Sequence, residues 1–300
     1  VKVGFALPQF NKQAFEVART VEFAREIEAA GGASLWVGDR NLAAVHPRIG
    51  YGGRGNTIPP ELNPAADPFV LLGVAASATE RVLLGSHVLV APLYTPVQLA
   101  RSLTTVDLIS GGRLLAGFGV GWSPEEYEAA GLDFTARGAR MDELLDALDA
   151  IWTRDPAEYR GEQLTVPLHH APLKPARRPR PPVYLGAHSE RALRRIGERA
   201  DGWLPLCVVP SFVDVDGLVA QRDAVAEAAR KAGRDPETID SVLRVNIDAG
   251  TSTEEVVSAI RTMGERVGIE HVMVDTMYSD ESVDQALDRA GRILDGVRQG

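Results

Sequence analysis

A run of alternating glycines, Gly117-Phe-Gly-Val-Gly121, follows a short apolar stretch and leads into Trp122 and Ser123-Pro-Glu-Glu126. Glycine at a strand end lets another backbone, or a bound molecule, approach closely. Tight packing at a barrel rim is the plainer reading of the same residues. Asp39-Arg40 closes another apolar run and sets a carboxylate beside a permanent cation. Such a pair serves a site or a simple salt bridge. Ser86-His87-Val88 interrupts a third run, where a glycine, Gly85, signals a bulge. His87 reads either as a satisfied structural histidine or as part of a site. Gly186-Ala187-His188-Ser189 ends a fourth run just before a helical pattern. Free N–H groups and the helix dipole suit a phosphate there, although Ser189 is equally an ordinary N-cap.

Spacing removes several chemistries. A dinucleotide fingerprint needs G-x-G-x-x-G, and counting from Gly117 its third glycine falls on Trp122. The hydrolase elbow G-x-S-x-G is missing. His46, His169, His170, His188 and His271 show no metal-ligand spacing, so no metal is expected. The basic run at 174–180, with Arg177, Arg178 and Arg180, is a solvated loop or a contact for an anionic ligand tail.

The elements that must position these residues alternate along nearly the whole chain. Strands are predicted over 2–7, 34–39, 81–90, 113–117, 183–186, 203–208, 242–247 and 271–275. Helical patterns separate them, and both Thr95-Pro-Val-Gln98 and Ser123-Pro-Glu-Glu126 read as capping boxes. Continuous apolar strands indicate a parallel sheet buried on both faces. About eight strand–helix units in 300 residues predict an α/β fold, a (β/α)8 TIM barrel forming one domain over 1–300. An open doubly wound sheet is the alternative. Residues 155–182 break the rhythm as an insertion with a short hairpin near 159–166, and the polar loop 40–66 is long enough for a lid.

The net charge of -9 argues against a nucleic-acid partner, and no apolar stretch approaches a membrane span. The single cysteine, Cys207, excludes an intramolecular disulfide and fits a reducing compartment. The first residues read as a core strand rather than a signal peptide, so a cytoplasmic location is expected.

Taken together, Ser34-Leu-Trp-Val-Gly-Asp39, residues 82–90, residues 108–122, residues 183–193 and Ala200-Asp-Gly-Trp203 resemble the bacterial luciferase-like flavin and deazaflavin oxidoreductases, most of all the coenzyme F420-dependent branch. The resemblance implies a barrel with F420, or alternatively FMN, at its C-terminal mouth, a small organic substrate, and a homodimer. It implies a bulge around Ser86, His87 and Val88, with a cis peptide at His87–Val88, behind the cofactor ring. Gly119, Val120 and Gly121 would flank the ring, Gly186, Ala187, His188 and Ser189 would hold its phosphate, and Asp39 would lie at its polar edge. Arg40 and Trp122 are the implied substrate contacts, with Asp39 and Arg40 the catalytic candidates. Members of this branch often carry histidine where this chain has Arg40, which cannot act as a base at neutral pH. Three activities follow: hydride transfer with F420, oxygenation with reduced FMN, or cofactor binding without turnover.

Overall fold

Apolar stretches of two to six residues form the parallel strands of the computed structural model, which describes residues 1–53, 55–187 and 189–299. In chain order they are β1 (Lys2–Ala6), β2 (Ser34–Val37), β3 (Leu83–Ser86), β4 (Leu89–Val90) and β5 (Leu114–Gly119). A separate antiparallel hairpin follows, β6 (Ala157–Arg160) with β7 (Thr165–His169), inside the segment expected as an insertion. The parallel set resumes with β8 (Val183–Leu185), β9 (Gly202–Trp203), β10 (Leu206–Val209), β11 (Asp240–Ser241), β12 (Leu243–Ile247) and β13 (His271–Asp275). These eleven parallel strands form one curled sheet in the order β10-β12-β13-β1-β2-β3-β5-β8-β9-β11, with β4 beside β5.

Helices α1 (Thr20–Ala29), α2 (Pro68–Ala78), α3 (Pro96–Ser110), α4 (Pro124–Ala129), α5 (Arg137–Thr153), α6 (Glu190–Arg199), α7 (Val215–Lys231), α8 (Thr253–Thr262) and α9 (Val283–Arg298) connect the strands. Their starts follow local chemistry. Asp67 caps α2 by accepting from Val70 N at 2.9 Å, with Pro68 in the first turn. Thr95 caps α3 through Gln98 N. The predicted box at Ser123 does not form: Ser123 makes no capping bond, and its hydroxyl turns to Glu125. The carboxylate of Glu126 is used elsewhere, as described below. A full capping box occurs instead at Ser252 and Glu255, opening α8.

The outer faces of the strands pack on the helices in one large apolar cluster. The inner faces meet in a smaller one, formed by Trp36, Leu115, Tyr184, Leu204, Val242 and Met273. Glycines make room for its large rings. A Cβ on Gly85 would lie 2.2 Å from the Trp36 ring, and one on Gly202 would lie 2.1 Å from Tyr184. Full burial of a side chain of this size contributes about 1.5–3 kcal/mol.

Three predicted strands are interrupted. The third breaks into β3 and β4 at the His87–Val88 peptide, which is cis. The sixth breaks between β9 and β10 at Pro205, which has no N–H for the ladder. The freed Pro205 carbonyl accepts from Arg244 N at 2.9 Å and faces the His87 ring. The seventh breaks between β11 and β12, at Val242. These breaks lie beside one another and shape the end of the sheet where the candidate residues gather.

Candidate active site

The glycine run of β5 and its continuation fits against the broken third strand. A Cβ on Gly117 would fall 1.7 Å from the Ser86 carbonyl oxygen, and one on Gly119 would fall 2.5 Å from Val88 Cγ2. A Cβ on Gly121, at φ +70, would fall 2.6 Å from Val90 Cγ1, and one on Gly186 would fall 3.1 Å from Val88 Cγ1. Ser86 Oγ donates to the Gly117 carbonyl at 2.8 Å and accepts from Gly117 N at 2.9 Å. The space these glycines leave is therefore taken up by Ser86, Val88 and Val90. Val120 is half-buried, and its carbonyl accepts from the Tyr127 hydroxyl at 2.6 Å.

His87 is buried beneath this surface. Its Nε2–H donates to Pro205 O at 3.2 Å, and its ring meets Trp36 edge-on. Burial and the nearby Arg244 push its pKa down to about 3, so the ring is neutral and structural at physiological pH. The cation responsible escaped sequence reasoning. Arg244 donates Nη1 to the His87 carbonyl at 2.7 Å, Nε to Asn246 at 2.9 Å and Nη2 to Asp275 at 2.5 Å. The available signal was the alternation of Arg244 and Asn246 within the apolar strand β12, which sets two polar residues on one face.

Asp39 and Arg40, adjacent in sequence, are not paired with each other. Asp39 Oδ2 accepts from Val90 N and from the Tyr94 hydroxyl, both at 2.9 Å. Burial raises the Asp39 pKa to about 6, more than these two donors lower it. Arg40 turns to Glu126, Nη1 to Oε2 at 3.5 Å, with both side chains almost fully buried. Its guanidinium lies over the Trp122 ring at 4.5 Å, and Tyr51 meets that ring edge-on. Burial lowers the Arg40 pKa and raises that of Glu126. Arg40 Nε and Nη2 have no hydrogen-bond partner among the described residues. Each unmet buried donor costs about 1–3 kcal/mol, which stable scaffolds seldom tolerate.

Helix α4 also grips the loop that follows Arg40. Glu126 accepts from Asn41 N at 2.8 Å, and Glu125 accepts from Arg48 N at 2.8 Å and Nε at 3.0 Å. At its far side, the loop joins Tyr51, Ile58 and Leu62 to Phe10, Met277 and Tyr278. The long polar segment is thus anchored over this end of the sheet from both sides.

Gly186 continues from β8, donating to Phe118 O at 2.9 Å, and Ser189 caps α6. A cavity of about 20 Å³ is lined by Gly119, Val120, Gly186, Ala192 and Arg195. His188 lies outside the described residues. The basic run 174–180 is not here. Lys174 donates to carbonyls of Ile151 and Arg154, ending α5, and Arg180 pairs with Asp201 just before β8 begins. Lys174 and Arg180 are thus engaged at the N-terminal end of the sheet, the end opposite the glycine surface. A larger cavity, about 490 Å³, lies near it between α5 and α6, also away from Asp39 and Arg40. Among the described residues, no cluster of metal-ligand type occurs.

A curled parallel sheet whose glycine-lined C-terminal end carries Asp39, Arg40 and Trp122 defines an α/β oxidoreductase scaffold. The chain belongs to the luciferase-like monooxygenase family, whose model matches residues 1–297. It is 32% identical over 280 residues to the phthiodiolone/phenolphthiodiolone dimycocerosates ketoreductase of Mycobacterium tuberculosis, covering 86% of this chain and 72% of that one. Two solved structures share the fold at 17% identity. One is an F420-dependent secondary alcohol dehydrogenase with an F420-acetone adduct (TM-score 0.79, 99% of each chain). The other is the oxygenating constituent of 3,6-diketocamphane monooxygenase from Pseudomonas putida with FMN (TM-score 0.66, 88% of this chain and 71% of that one). The protein is an oxidoreductase of this family.

Proposed function

We propose that the enzyme moves a hydride between coenzyme F420 and the carbonyl or alcohol group of a small organic substrate. The observation that carries this reading is Arg40, buried on Trp122 with two donors unused among the described residues, next to a carboxyl that forms no salt bridge among them. A carbonyl oxygen that gains charge during reduction needs such a fixed donor. The ketoreductase relative supports a carbonyl substrate.

The orphaned Arg40 donors at this end of the sheet fit a polar group of a bound molecule. The glycines bring the backbone of β5 close against Val88 and Val90, so that Val88 and the Gly119–Gly121 backbone would form one wall for a planar cofactor. Ser86, His87 and Val88 would back the ring, Val120 and Gly121 would border it, and Asp39 would stand at its edge. Gly186, Ala187, His188 and Ser189 would hold the phosphate, the last at the start of α6. Reduced F420, when bound, supplies a hydride from C5. The chain's own share is orientation by Arg40 and Trp122, and exclusion of water by the anchored loop. Oxygenation with reduced FMN is the second reading, favoured by the shared fold of an FMN-binding monooxygenase.

The ladder supports reading the sheet as a closed (β/α)8 barrel. β9 and β10 together pair with β8, β11 and β12, and β12 leads through β13 back to β1. We read the chain as one domain, and as a homodimer. Helix α2 is apolar on both sides and leaves Val70 exposed, as α3 leaves Val97 and Ile109.

Equilibrium titration of the purified chain with F420 and with FMN tests the assignment. F420 is expected to bind at least tenfold more tightly; tight FMN binding without F420 binding overturns it.

A further inference from the structure

Arginine exchanges no proton at neutral pH, so carbonyl chemistry beside Arg40 requires another acid. We propose that Asp39 donates the proton to the substrate oxygen during carbonyl reduction and takes it back during alcohol oxidation. This rests on the hydride-transfer reading above.

The geometry suits that task. Asp39 sits half-buried where the chain leaves β2. Its Oδ2 is fixed by Val90 N and the Tyr94 hydroxyl, each at 2.9 Å. Among the described residues no hydrogen bond uses Oδ1, which leaves that oxygen to carry a proton. The neighbouring cation is engaged elsewhere, with Glu126 and Trp122. The groups that bear on Asp39 are Tyr94 after β4, Glu126 of α4, Asp67 at the start of α2, and Arg40 beside it. Glu126 and Asp67 favour the neutral carboxyl and Tyr94 favours the carboxylate; burial decides for the neutral form, to about 6. An acid poised near neutrality is suited to both directions of proton transfer.

In reduction, the carbonyl carbon accepts a hydride, with both electrons, from the reduced deazaflavin. The C=O π pair moves onto oxygen, and that oxygen forms a bond to the Asp39 proton. The products are the alcohol, the oxidised cofactor, the proton that the reduced cofactor releases along with its hydride, and the Asp39 carboxylate, which that proton restores through water. In oxidation every transfer is reversed.

Two readouts on the whole chain test this. The first needs no cofactor: with carbon-13-labelled aspartate, the carboxyl signal lost in Asp39→Asn is expected to titrate near pH 6. Titration at the ordinary carboxylate position, about 4, overturns the proposal. Tyr94→Phe should move the same signal upward, and it identifies Asp39 should the asparagine variant misfold. The second readout uses reduced F420 with a panel of ketones and aldehydes. Asp39→Asn is expected to lower kcat about 100-fold, a far larger effect than any on F420 binding. It should also abolish the decline in reduction rate that the wild type shows as pH rises above about 6. Weakened F420 binding with the pH profile intact makes Asp39 a cofactor contact and overturns the proposal. A wild type that binds F420 but reduces nothing in the panel brings down the hydride-transfer reading, and this proposal with it.

Discussion

Two buried arginine–carboxylate pairs stand at the same end of the sheet and are built differently. Arg244 spends Nε on Asn246, Nη1 on the His87 carbonyl and Nη2 on Asp275. Arg40 has one long contact, to Glu126 at 3.5 Å, and two unused donors. Both cations are desolvated, yet only the first recovers that cost in full. Arg244 is part of the scaffold that holds the broken third strand. Arg40 keeps donors unused among the described residues, and on that difference rests our proposal that the substrate is held at Arg40.

The comparison can be broken by removing each cation. Arg244→Ala strands a buried Asp275 and an unpaired His87 carbonyl, and should cost about 3–5 kcal/mol in denaturant unfolding. Gly117→Ala places a methyl against the Ser86 backbone oxygen, and should cost about 3 kcal/mol. Gly119→Ala meets only the Val88 side chain, which can turn, so the cost should be smaller, about 1–2 kcal/mol. Replacing the pair by Met at Arg40 and Gln at Glu126, whose amide oxygen still accepts from Asn41 N, should leave unfolding nearly unchanged, while abolishing turnover. A large loss of stability in that double variant would make Arg40 a second Arg244.

The smallest expected effect is in pH dependence. Asp39 has a native pKa of about 6, above its unfolded value. Such a carboxyl contributes stability that is complete below about pH 4 and lost as pH rises through about 6. Asp39→Asn should therefore stabilise the fold at pH 8 relative to the wild type, seen as a raised Tm, and change it little at pH 4. An equal shift at both pH values would refute the raised pKa.

Much of this was legible in the chain. The strand ends at Asp39 and Gly186 were visible because apolar runs stop there, and the small and polar residues at Gly85-Ser-His87 signalled a bulge inside the strand predicted over 81–90, which the structure splits in two. The packing meaning of Gly117 and Gly119 was available too, as one of two readings, but spacing could not show that Ser86 and Val88 fill the space. Glu126 was seen and given a different task, because a helix cap and an ion pair to Arg40 draw on the same carboxylate. Arg244 and Asp275 were missed because they lie on different strands and meet only across the sheet. Of the two readings of the run 174–180, composition could not choose; in the structure Lys174 and Arg180 are engaged locally, by helix-end carbonyls and by Asp201.

The central claim is that reduced F420 delivers hydride to a carbonyl held at Arg40. The direct measurement is oxidation of reduced F420 by the purified enzyme across a carbonyl panel, run with and without oxygen, for the wild type and Arg40→Gln. Hydride delivery to a carbonyl held at Arg40 requires carbonyl-dependent oxidation that ignores oxygen and falls about tenfold or more in the variant. Oxygen-dependent turnover, or a variant as active as the wild type, would contradict it.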